Sequence, residues 1–115
     1  MLKEKKTYES MFNKELKVRI YDFACALSGT DPKTGDVVDD FLRWLDDYIV
    51  KFDDDPHYQA KRMTLSTGDP TDYFLFFDDG RISYCYFNLD NKDACMLRGY
   101  NFDIMQEVFD RLNIE

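Results

Sequence analysis

The stretch "YFLFFDDGRISYCYFNL", residues 73–89, limits the possible folds more than any other part of the chain. Two runs rich in aromatic and β-branched residues, 73–77 and 81–89, flank Asp79-Gly80, a pair that favours a tight hairpin turn. Both runs carry apolar side chains at odd and even positions alike. Such strands are covered over much of both faces, so the hairpin belongs at the centre of a sheet.

The flanking segments supply the cover. In "TYESMFNKELKVRIYDFACALSG", Phe12, Leu16, Ile20, Phe23 and Leu27 follow helical spacing, with Thr7 or Ser10 as N-cap and Gly29 as the stop. Residues 1–6 read as a flexible charged tail. After the turn-rich "TDPKTGD", Asp36 is the expected cap of a second helix that buries Val38, Phe41, Leu42, Leu45, Tyr48, Ile49 and Phe52. "DDDP" ends it, because the residue before Pro56 avoids helical geometry. "YQAKRMTLS" reads as a first strand and "DACMLRG" as a short fourth one. A closing helix from Asn101 buries Phe102, Met105, Val108, Phe109 and Leu112. Helices and strands in separate runs predict one α+β domain over 1–115. It has an antiparallel sheet of three to four strands, two N-terminal helices and one C-terminal helix.

Charge narrows the function. The chain has 115 residues and a net charge of −8, and residues 36–79 hold twelve acids against four Lys or Arg. Acidity on this scale argues against direct contact with nucleic acid or anionic membrane and favours a basic protein partner. Cys25, Cys85 and Cys95 have no CxxC spacing, and no apolar run approaches a membrane span. These features predict a cytoplasmic protein with reduced thiols.

No nucleophile, phosphate-loop or dinucleotide motif is present, and His57, the sole histidine, has no cysteine at ligand spacing. No cofactor is expected. One constellation suggests chemistry. If Asp79-Gly80 forms a two-residue turn, Asp72 faces Phe87 and Asp69 faces Asp90, which gathers Asp69, Asp72, Asp90 and Lys92 at one end of the hairpin. The set resembles the PD-(D/E)xK nuclease pattern, in which acids hold a divalent metal and the lysine helps position the attacking water. It departs from that pattern in reading "PTD" rather than "PD" and in placing Asp-x-Lys within "LDNKD".

A second feature is the acid repeat in "DDFLRWLDDYIVKFDDD". Asp39/Asp40, Asp46/Asp47 and Asp53/Asp54 recur every seven residues, with Asp55 adjoining. On one continuous helix Asp36, Asp39, Asp40, Asp46 and Asp47 share an outward sector. Arg43 would pair with Asp39 and Asp47, and Lys51 with Asp47. Seven helical residues rise about 10.5 Å, close to the roughly 10 Å spanned by three base pairs. The expected function is therefore a non-enzymatic acidic inhibitor that fills the cationic groove of a nucleic-acid enzyme. In size, charge and aromatic content the chain is similar to anti-CRISPR, anti-restriction and immunity proteins of phage or mobile-element origin. A thinner stripe, Met11, Val18 and Cys25, marks a helix face suited to homodimer contact and an alternative role as an accessory subunit.

Overall fold

The computed structural model describes residues 2–89 and 91–114. The elements are α1 (Leu2–Leu27), α2 (Phe41–Tyr48), β1 (Lys51–Asp55), β2 (Ala60–Ser66), β3 (Thr71–Phe77), β4 (Ile82–Asn88), β5 (Asn91–Met96) and α3 (Gly99–Ile114). The strands form one five-stranded antiparallel sheet in the order β1-β2-β3-β4-β5. The α+β class is as expected, and the sheet has more strands than the three or four read from sequence.

The helices pack on one face. Phe12, Leu16, Ile20 and Phe23 of α1, Phe41 and Leu45 of α2, and Met105 and Val108 of α3 share a core with the inward strand residues. Those residues include Met63, Phe74, Phe76, Ile82 and Tyr84. The opposite face buries a smaller group made from the sheet itself: Ala60, Tyr73, Leu75 and Cys85, with Phe77 and Phe87 beside them. Long cationic side chains lie over this face. Arg62 stands 4.1 Å from the Tyr73 ring centroid, Arg81 4.9 Å from Phe77 and Lys92 5.2 Å from Phe87. The charged heads themselves stand over the rings in cation–π geometry, which covers part of this apolar face.

α1 ends as its sequence predicts. Thr30 N–H donates to the Cys25 carbonyl and Gly29 N–H to that of Ala26, with Gly29 at φ +99, a glycine stop in the left-handed region. At its other end the backbone of residues 2–6, read as a tail, belongs to the helix.

The second helix is shorter than expected. Asp40, not Asp36, is its N-cap, accepting the Arg43 N–H at 3.3 Å. Residues upstream are held instead by a bridge between Thr30 and Val37. Beyond Tyr48, the β-branched pair Ile49-Val50 favours extended backbone. Lys51–Asp55 then pairs with β2 as an edge strand, with Phe52 turned inward and its ring 6.3 Å from that of Phe76.

The hairpin turn is longer by one residue. Phe77 N–H donates to the Arg81 carbonyl and Gly80 N–H to that of Phe77, so the loop is Asp78-Asp79-Gly80. Gly80 takes φ +96, as expected of a three-residue hairpin loop that closes on a left-handed residue. The register moves accordingly: Asp72 faces Tyr86, not Phe87. A Cβ at Gly80 would meet no atom within 4 Å. Gly80→Ala is therefore expected to cost about 1–2 kcal/mol through backbone strain alone, measured by urea denaturation, with native circular dichroism retained.

Candidate functional site

The sequence-derived metal set is not assembled. Asp72 is 1% exposed and lies beneath the helices. Arg19 of α1 grips it with both prongs, Nε to Oδ2 at 2.9 Å and Nη2 to Oδ1 at 3.0 Å. Tyr84 donates to Oδ2 at 2.8 Å, and Ser66 donates to Oδ1. Those bonds fill the carboxylate's acceptor positions and leave none for a metal. Asp69 is an exposed loop residue whose Oδ1 accepts the Leu89 N–H at 2.8 Å. Lys92 pairs with Phe87, one position beyond Tyr86, so it projects from the sheet face opposite to Asp72. Asp90 lies outside the described residues. Among the described residues no cluster of three or more His, Cys, Asp or Glu is placed to hold a metal ion. His57 is exposed and stands edge-on to Tyr58 at 4.7 Å.

Sequence reading missed the network centred on Asp72. Arg19 Nη1 also donates to the Tyr48 hydroxyl at 3.0 Å, and that hydroxyl donates to Asp22 at 2.6 Å. Glu15 stands 3.5 Å from Arg19. The chain of bonds links α1, α2, β2, β3 and β4. A bulge between Thr64 and Ser66 sets Ser66 opposite Asp72, where its hydroxyl reaches the carboxylate. Burial raises the Tyr84 phenol above its ordinary range, aided by the Asp72 charge. Burial and the bond to Asp22 raise Tyr48. The signal was present in parity, since Asp72, Phe74 and Phe76 alternate onto one face.

The acids of the repeat divide into two groups. Asp55 is buried and accepts two bonds from Arg62, at 3.1 and 2.6 Å, so it is not a free surface charge. Asp54 is paired with Lys61 at 2.7 Å, and Asp53 loosely with Lys51 at 3.8 Å. All three lie on β1, so the helical seven-residue interval does not extend to them. Asp39, Asp40, Asp46 and Asp47 are exposed on and just before α2. Among the described residues Asp39, Asp46 and Asp47 have no cationic partner, and the expected pairs to Arg43 and Lys51 are not formed.

On α1, Met11 and Val18 are 43% and 44% exposed, with Tyr21 beside them at 63% and Cys25 half-buried. A cleft of about 350 Å³ opens between the hairpin turn and α3, lined by Lys61, Phe76, Asp78, Arg81, Gln106 and Phe109. Its two cations are already neutralised by Asp54 and Asp79. No protein-family model, no curated protein and no solved structure matches the chain. No helix among the described residues is long and apolar enough to cross a membrane.

Removing Arg19 leaves Asp72 buried without its counter-charge. Arg19→Met is expected to destabilise the fold by about 3–5 kcal/mol, read from urea denaturation. Alkaline pH probes the phenols. Burial pushes Tyr73 up to about 12, with Cys85 contributing. Below pH 10 both the folded and unfolded chains keep that proton, so its contribution to stability is complete. Between pH 10 and about 12 the unfolded chain ionises first. The melting temperature is expected to fall across that window, less steeply in Tyr73→Phe.

Proposed function

We propose that the protein is a non-enzymatic binding protein whose acidic α2 surface engages a cationic groove on a nucleic-acid enzyme, with carboxylates standing where phosphates would. The observation that supports this reading most is the placement of Asp46 and Asp47. Both are exposed, without a cationic partner among the described residues, in the last turn of α2. The carbonyl end of a helix is its negative pole, and a carboxylate there opposes the dipole by about 0.3–1 kcal/mol. Several acids elsewhere are matched with cations: Asp72 with Arg19, Asp55 with Arg62, Asp54 with Lys61 and Asp79 with Arg81. Charge that weakens its own helix and stays unneutralised fits selection for a partner. The aromatic run Phe41, Trp44 and Tyr48, stacked at 5.8 and 4.6 Å, stiffens the helix beneath it.

The test replaces Asp39, Asp40, Asp46 and Asp47 together with Asn. Asn caps a helix as well as Asp does, so α2 keeps its start at position 40. The net charge moves from −8 to −4. The melting temperature is expected to hold or rise, since the unfavourable dipole contacts are gone. The partner captured from the native host with the parent protein is expected to lose nucleic acid in a competition gel shift. The variant should bind that partner at least tenfold more weakly, about 1.4 kcal/mol. Equal binding by a folded variant would reduce the acids to a solvated face.

A further inference from the structure

We propose that two copies of the chain associate by pairing β5 with β5 across a two-fold axis, which joins the sheets into one continuous ten-stranded sheet. The two sheet edges differ in kind. β1 ends in the acid run 53–55, with Lys51 and Lys61 among its carboxylates, so charge and hydration blunt that edge. β5 carries charge only in its first half, at Lys92 and Asp93. Its second half, Ala94-Cys95-Met96, is uncharged and ends in a methionine that is 41% exposed. Among the described residues no strand covers its outer side.

The hydrogen bonding of β5 restricts how a second copy can pair. Ala94 N–H does not join the ladder to β4; it donates to the carboxylate of Asp93 at 2.9 Å. By the alternation of an antiparallel ladder, Lys92, Ala94 and Met96 point their backbone groups off the sheet. A two-fold axis normal to the sheet keeps inward residues facing inward ones, so it passes through a residue rather than between two. Each choice of centre has a definite charge outcome. Centred on Lys92, the register opposes lysine to lysine. Centred on Asp93, it opposes aspartate to aspartate. Centred on Cys95, it sets Lys92 against Arg98 of the second copy. Centred on Met96, it pairs little of the strand.

Only the axis through Ala94 pairs the strand without opposing like charges. Ala94 then exchanges both backbone bonds with its own copy, the alanine methyls permit close approach, and Lys92 lies against Met96 of the second copy on the outer face. Asp93 releases the Ala94 N–H as the new ladder forms, a trade of one exposed bond for another. The outer apolar group around Tyr73, Leu75 and Cys85 is extended across the junction by Ala94 and Met96.

The experiment is sedimentation of the full chain across a concentration series, with circular dichroism to confirm folding. The parent is expected to reach a dimer and nothing larger. Ala94→Pro removes an N–H that the monomer's ladder does not use, so the variant should fold and remain monomeric. Met96→Lys sets an ammonium against Lys92 at two symmetric places and should weaken the dimer about tenfold or more. Adding Lys92→Glu to Met96→Lys should restore it. A parent that stays monomeric, a dimer indifferent to Met96→Lys, or a dimer lost in Val18→Glu but kept in Ala94→Pro would each overturn the proposal. The last outcome would move the contact to the exposed stripe of α1.

Discussion

The bidentate pair between Arg19 and Asp72 is the constraint on which the layer packing depends. A carboxylate that is 1% exposed carries a large desolvation cost unless every lone pair is matched, and here a guanidinium, a phenol and a hydroxyl match it. Apolar contacts between α1 and the sheet would tolerate sliding by a fraction of a turn. The fork of Arg19 does not, because its planar donors meet both carboxylate oxygens in only one alignment. A slip of one residue in β3 would carry Asp72 to the outer face and leave Arg19 unpaired beneath the helices. Tyr48 extends the same restraint to α2, since its hydroxyl accepts from Arg19 and donates to Asp22.

The features that were legible in the sequence are those whose periodicity has one solution. The α1 stripe, the Gly29 stop and the central hairpin belong here. Phe52 has two solutions. It sits four residues beyond Tyr48, as a helix requires, and also alternates with its neighbours, as a strand requires. The β-branched Ile49-Val50 step decides for the strand, and the acid repeat loses its third pair as a result. Asp79-Gly80 fits turns of two or three residues equally well, and one residue of difference set the expected pairing of Asp72 wrong. Asp72 itself resembles a turn aspartate until Arg19, distant in sequence, is placed over it. No local pattern announces a buried ion pair whose partners lie 53 residues apart.

Charge is handled differently at the sheet and at α2. Asp54 and Asp55 of β1 and Asp79 of the hairpin turn are tied to Lys61, Arg62 and Arg81, and the cations of the outer face lie over Tyr73, Phe77 and Phe87. Asp39, Asp40, Asp46 and Asp47, on and just before α2, are exposed and unneutralised among the described residues. The two proposed surfaces are also separate. α2 runs into β1 through residues 49–50, which ties its C-terminal end to the edge strand farthest from β5. In a dimer paired through β5, a strand spacing of about 4.8 Å puts the two β1 edges roughly 43 Å apart. A two-fold axis normal to the sheet keeps both sets of helices on the same side. The acidic surfaces would then stand at opposite ends of one sheet face, each unobstructed by the junction, and the pair would present its negative charge as two separate patches.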